Sequence, residues 1–77
     1  MTRVKIKCRG PGAQGTKEKK IKLLEILCMK EIHVTKIFNT TDGFALLTLN
    51  EEHAENIFSK EVKETLDFEG FSPIMPP

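Results

Sequence analysis

Ile32-His33-Val34-Thr35-Lys36-Ile37-Phe38-Asn39-Thr40-Thr41-Asp42-Gly43-Phe44-Ala45-Leu46-Leu47-Thr48-Leu49 is the stretch on which the fold turns. Its first seven residues are rich in β-branched side chains (Ile32, Val34, Thr35, Ile37), which pack well on a pleated, half-buried surface. Asn39 to Gly43 is a run of turn formers: Asn and Asp bond their own backbone, and Gly43 carries no Cβ. Phe44 to Leu49 is apolar and extended again. The segment therefore predicts a hairpin, with strands over 32–38 and 44–49 joined by a turn over 39–43.

Working outward, Arg3-Val4-Lys5-Ile6-Lys7-Cys8-Arg9 alternates charged and apolar residues at period two. That is a strand with a dry face (Val4, Ile6, Cys8) and a wet one. Gly10 to Gly15 breaks the pattern as a glycine-rich loop, and Thr16 is placed to cap a helix running to about Met29. Ile21, Leu24 and Leu27/Cys28 recur at helical spacing there, with Leu23 and Ile26 widening the stripe. Beyond the hairpin, Asn50 caps a helix opened by Glu51 and Glu52, acidic side chains that suit the positive end of the helix dipole. Ala54, Ile57 and Phe58 form its buried face, and Ser59 can cap a further helical turn with Val62 and Leu66. Phe68-Glu69-Gly70-Phe71 then leads to a weak edge strand around Ile74-Met75, closed by Pro76 and Pro77. The order β-α-β-β-α-β predicts one domain over residues 1–77, of the α+β class. Its expected architecture is ferredoxin-like, a four-stranded antiparallel sheet with two helices on one face and the other face open.

Composition bounds the functional classes. The 77 residues are 39% hydrophobic and 30% charged, a globular balance, and no apolar run approaches the roughly 18 residues of a spanning helix. The basic N-terminus lacks the apolar core of a signal peptide, so a cytoplasmic or nuclear location is expected. Cys8 and Cys28 sit in apolar patterns as free thiols, and neither they nor His33 and His53 form the short ligand pairs of a zinc site. No metal or small-molecule cofactor is expected. The net charge of +1 conceals two opposed halves: residues 1–30 hold nine Lys/Arg against two acids, residues 31–77 three Lys against nine acids. Such a basic pole suits a polyanion or an acidic partner.

Gly10-x-Gly12-x-x-Gly15 has the spacing of a dinucleotide-binding loop. The preceding strand, however, carries lysine at alternate positions where a parallel strand of that fold is apolar on both faces, and the chain is too short for it. The run reads as a flexible turn. Gly12-Ala13-Gln14-Gly15 also spells the GxxG of KH domains, whose loop joins two helices instead of following a strand.

Asp42-Gly43-Phe44-Ala45-Leu46-Leu47-Thr48-Leu49 resembles the signature octamer of the RNA recognition motif, [K/R]-G-[F/Y]-[G/A]-[F/Y]-V-x-[F/Y]. Gly43, Phe44, Ala45 and Leu47 fit, whereas Asp42 replaces the basic residue and Leu46 and Leu49 replace aromatics. The resemblance implies that Ala45, Leu47 and Leu49 point to the helices and that Phe44, Leu46 and Thr48 face outward. Strand 2 would expose Val34, Lys36 and Phe38, with Phe38 across from Phe44. The expected nucleic-acid-binding set is thus Lys5, Lys7, Lys36, Phe38, Phe44 and Leu46, with Arg9 and Lys17 in the adjoining loop. Aromatic residues among lysines suit single-stranded RNA or DNA, because stacking at about 1–3 kcal/mol per base and phosphate contact act together.

Two other resemblances bear on function. Thr35 to Ile74, with the Gly70-Phe71-Ser72-Pro73-Ile74-Met75-Pro76-Pro77 ending, resembles the RNA-recognition-like domain upstream of zinc knuckles in gag-like proteins of insect non-LTR retrotransposons. That likeness implies a fragment of a larger protein. Gly12-Ala13-Gln14-Gly15 with Asn39-x-x-x-Gly43-x-Ala45 resembles acylphosphatase signatures, but the position near Lys19 offers a point charge where that family uses the bidentate fork of arginine. No nucleophile, base and orienting residue fall together, so the expected function is non-catalytic. The alternative is a protein-interaction or self-association domain using the same face or the acidic half.

Overall fold

A computed structural model describes residues 2–10 and 15–75. The elements are β1 (Thr2–Cys8), α1 (Lys17–Met29), β2 (Val34–Thr40), β3 (Gly43–Thr48), α2 (Glu51–Ile57), α3 (Lys60–Phe68) and β4 (Phe71–Ile74). The class is α+β, with one four-stranded sheet in the order β2-β3-β1-β4 and every neighbouring pair antiparallel. Alternation drives β1: Val4, Ile6 and Cys8 are buried, and the residues between them are exposed. Leu23, Ile26 and Leu27 of α1, Ala54 and Ile57 of α2, and Val62 and Leu66 of α3 join them in one core cluster. The helices thus cover one side of the sheet.

Among the described residues the expectation of two helices is corrected to three. Ser59 is extended (φ −65°, ψ 151°), and its hydroxyl donates to the Asn56 carbonyl at 2.8 Å, so it closes α2 before α3 begins. The start of β2 also moves, from residue 32 to Val34. Glu31 adopts a left-handed backbone (φ 58°), its N–H donates to the Cys28 carbonyl, and the Ile32 N–H donates to the Leu27 carbonyl. That pair of bonds is a Schellman closure of α1, with buried Ile32 packed in the same core as Leu27. Thr16 and Asn50 cap α1 and α2, their side chains accepting from the Lys19 and His53 N–H groups. Pro73 is confined to β4, an edge strand where its missing N–H costs no ladder bond.

The hairpin register decides which side chains face which way. Thr40 pairs with Gly43, Asn39 with Phe44, Phe38 with Ala45 and Ile37 with Leu46, leaving a two-residue loop of Thr41-Asp42. On the other side of β3, Phe44 lies opposite Ile6 and Leu46 opposite Val4. Directly opposed residues share a face, so Phe44 and Leu46 point into the core, and both are fully buried. The expected outward placement of Phe44 and Leu46, and of Phe38 across from Phe44, is therefore corrected. The expected turn over 39–43 sets Phe38 against Phe44; instead β2 runs on to Thr40 and β3 starts at Gly43 around a loop of even length, so the pairing shifts by one residue, and a slip of one flips every side chain of the strand. Two glycines hold this arrangement by close approach. A Cβ on Gly43 would lie 2.2 Å from the Ile6 carbonyl oxygen, and one on Gly15 would lie 2.7 Å from both the Gly43 carbonyl oxygen and the Phe44 ring.

Candidate functional site

With the register fixed, the outward face of the sheet can be built strand by strand. β1 contributes Arg3, Lys5 and Lys7; β2 contributes Lys36, Phe38 and Thr40; β3 contributes Ala45 and Leu47; β4 contributes Ser72 and Ile74. Pairing arranges them in three rows across the sheet. Lys36, Leu47 and Arg3 form the first; Phe38, Ala45, Lys5 and Ile74 the second; Thr40, Gly43, Lys7 and Ser72 the third. Strands about 4.8 Å apart and rows two residues apart place each cation within side-chain reach of its neighbours.

The middle row is the most distinctive. Phe38 is 49% exposed and Ile74 41% exposed, at opposite ends of the row. Ala45 between them is only 1% exposed although it sits on the outward face, so the longer flanking side chains of Phe38 and Lys5 cover it. The row thus presents an aromatic ring at one end and an aliphatic side chain at the other, with Ala45 covered and Lys5 between them. None of the four strands contains an aspartate or glutamate. Asp42 in the hairpin loop places a carboxylate 3.8 Å from the Lys5 ammonium, and it also accepts from the Thr40 hydroxyl at 3.1 Å; at the other end of β1, Arg3 lines a cavity with Glu51 and Glu55. Both partners of the Lys5–Asp42 pair are substantially solvent-exposed, so the pair is weak and salt-sensitive.

The anticipated residues thus separate. Lys5, Lys7, Lys36 and Phe38 do share the outward face, whereas Phe44 and Leu46 belong to the core. Arg9 is engaged elsewhere: its guanidinium pairs with the Asp67 carboxylate at 3.0 Å and donates to the Asp67 carbonyl. Lys17 is exposed at the start of α1. Most of the Gly10–Gly15 motif, residues 11–14, lies outside the described residues, as do Pro76 and Pro77. Arg3, Leu47 and Ile74 were missed. The period-two alternation of β1 already places Arg3 beside Lys5 and Lys7, while Leu47 and Ile74 emerge only from the register.

The remaining polar groups have structural assignments. The backbone N–H of His33 donates to Nδ1 of His53 at 3.0 Å, and the rings meet edge-on with centroids 6.3 Å apart. This ties the entry of β2 to α2, a partnership invisible in the sequence. The Asn39 amide donates to the Gly15 carbonyl at 3.3 Å, fastening the loop after β1 to the hairpin. Cys8 is buried, and burial raises its thiol pKa above the ordinary value; Lys19 partly offsets the shift and Asp42 adds to it. Cys28 is exposed. Among the described residues no group of three or more His, Cys, Asp and Glu could hold a metal ion, and no helix is long and apolar enough to cross a membrane. No family model, no curated protein and no solved structure matches this chain.

Proposed function

We propose that this domain, a ferredoxin-like module of RNA-recognition type, is non-catalytic and holds single-stranded RNA or DNA across the outward face of its sheet. The observation that carries the reading is the charge of the strands: Arg3, Lys5, Lys7 and Lys36 share one face with a half-exposed Phe38, and no strand carries a carboxylate. In this reading a base stacks on Phe38, while Arg3, Lys5, Lys7 and Lys36 meet phosphates. Stacking and phosphate contact tolerate varied sequence, so selectivity between bases is low. The reading rests on the composition of the face and not on the octamer likeness, whose third and fifth positions, Phe44 and Leu46, face the helices.

The test is a titration of a fluorescein-labelled short polypyrimidine oligonucleotide, followed by anisotropy. Phe38→Ala is expected to weaken binding by about 1–3 kcal/mol, roughly 5- to 150-fold. Amide shifts in β1, β2 and β3 on titration would locate the contact. Binding unchanged by Phe38→Ala, or shifts confined to the helices, sinks the proposal. A second reading draws on Ile74 and Phe38 together with Asp42: a face part apolar and part charged also fits a protein partner. An oligonucleotide that leaves every sheet amide unmoved would favour it.

A further inference from the structure

The cations of the outward face are not scattered over it. Arg3, Lys5 and Lys7 occupy three successive outward positions of β1, an interior strand paired to β3 on one side and to β4 on the other. The positions that flank them are uncharged: Leu47, Ala45 and Gly43 on β3, Ile74 and Ser72 on β4. Arg3 and Lys7 make no ion pair among the described residues, and Lys5 has only its exposed 3.8 Å pair with Asp42, weak enough for a phosphate to displace. Across the strands the same charges are sparse. The first row holds Lys36 and Arg3, the second Lys5 alone and the third Lys7 alone.

A single-stranded polyanion therefore meets the most cations by lying lengthwise. We infer that the nucleic-acid strand runs along β1, parallel to the strands of the sheet, and presents three successive phosphates to Arg3, Lys5 and Lys7. This rests on the nucleic-acid reading above and adds to it a path and a footprint. Successive outward positions on one strand are two residues, about 6.7 Å, apart. That is close to the separation of neighbouring phosphates in an extended single strand, so each cation takes its own phosphate and a tetranucleotide fills the site. Lys5 shares its row with Phe38, two strand spacings or about 9.6 Å away. The base of the nucleotide held at Lys5 reaches over Ala45, whose side chain is a single methyl, to stack on that ring. In the first row Lys36 and Arg3 flank Leu47 and close on one phosphate from both sides. A strand laid across the sheet meets at most Arg3 and Lys36, along the first row, and leaves Lys5 and Lys7 in solvent.

A nitroxide attached to either end of tetrathymidylate reads the path by NMR. With the label on the 5′ end, amide broadening is expected at one end of the strands, either around Arg3, Leu47 and Lys36 or around Lys7, Gly43 and Thr40. It should move to the opposite end when the label is on the 3′ end. Broadening confined to one edge strand, β2 or β4, that changes edge with the label overturns the inference and leaves the sheet-face reading standing. Affinities of the unlabelled tetranucleotide, taken from amide shifts over a range of salt, give the second readout. Arg3→Ala, Lys5→Ala and Lys7→Ala are each expected to flatten the slope of log affinity against log salt by about 0.7. All three side chains are exposed, so the urea midpoints of these variants should match the wild type. A slope that responds to only one of the three overturns the lengthwise path. No binding by the wild type at low salt overturns the path together with the reading on which it rests.

Discussion

Phe44 and Phe38 provide the sharpest test of the register, because they are chemically identical and the structure gives them opposite duties. Phe44 is 0% exposed, opposite Ile6 and beneath the backbone of Gly15, and it belongs to the central core cluster. Truncating such a ring loses its transfer free energy and leaves a cavity, which together cost about 3–5 kcal/mol. A domain of 77 residues has only about 4–12 kcal/mol of stability in all, at roughly 0.05–0.15 kcal/mol per residue. Phe44→Ala is therefore expected to lower the midpoint of thermal unfolding by at least about 12 °C, taking about 4 °C per kcal/mol, and could leave the domain largely unfolded. Phe38 is 49% exposed, so about half of a phenylalanine's burial value is at stake, roughly 1 kcal/mol.

The assay is urea titration followed by far-UV circular dichroism, since the chain has no Trp or Tyr to report by fluorescence. Oligonucleotide affinity is measured alongside, under conditions where each variant is folded. Phe44→Ala should lose stability and, where folded, keep its affinity; Phe38→Ala should lose affinity at a stability cost of only about 1 kcal/mol. If Phe44→Ala cost less than about 1 kcal/mol while abolishing binding, Phe44 would have to face outward. The hairpin loop would then be one residue longer than described, and the face built on it would be wrong.

Other expectations are independent of that pair. For a single-stranded ligand, log affinity should fall with log salt with a slope of up to about −3, at about −0.7 for each of the four sheet cations, and Lys36→Ala should flatten it by about 0.7. A slope indifferent to Lys36 would remove it from the contact. Glu31→Gly should raise the urea midpoint, by up to about 1 kcal/mol, because glycine takes the left-handed conformation of Glu31 (φ 58°) without steric cost; a lowered midpoint would refute the closure of α1 described above. Cys28, being exposed, should react with a thiol reagent in the folded protein, and Cys8 only on unfolding. Because burial raises the Cys8 pKa in the folded state, its contribution to stability is complete below the unfolded thiol's pKa and is lost as pH rises through the folded value. Alkaline urea titrations should show that loss in the wild type and not in Cys8→Ala.

The sequence carried the element order because each element announces itself locally. The alternation of β1, the Thr16 and Asn50 caps and the turn residues at Asn39–Gly43 each act through a few neighbouring residues. The facing of β3 was illegible for the opposite reason. Phe44, Ala45, Leu46 and Leu47 are all apolar, so no alternation in β3 itself marks which side is dry. Parity had to be carried across the turn from β2, where the assignment of Lys36 and Phe38 was right, and a turn rich in Asn, Thr, Asp and Gly admits loops of odd or even length. Pairing with β1 resolves it: Ile6 and Val4 are unambiguously inward, and they face Phe44 and Leu46. The octamer likeness pulled the other way because it fixes outward residues by position in a motif and takes no account of the partner strand. The His33–His53 bond and the Ser59 break depend on a donor and an acceptor brought together by folding, or on a single competing hydroxyl, and leave no periodic trace.

A net charge of +1 would place this domain among neutral proteins with no electrostatic steering. The fold sorts that charge instead of averaging it. Arg9, Lys22 and Lys30 pair with Asp67, Glu69 and Glu61, so part of the basic half is spent holding β1 and α1 to α3 and its end. Arg3, Lys5, Lys7 and Lys36 are left on a surface whose strands contain no acid, with Asp42 at the rim beside Lys5. Reversing Asp42 to lysine would remove the carboxylate beside Lys5 and put a basic residue at the first position of the octamer. Affinity for a single-stranded oligonucleotide should then rise, and the salt slope should steepen by about 0.7 if the new side chain meets a phosphate. The gain should vanish at high ionic strength, where the Debye length shrinks to about 3 Å. An Asp42→Lys protein that binds no better at low salt would mean that ligand does not approach this end of the sheet, and would move the contact toward Arg3 and Lys36.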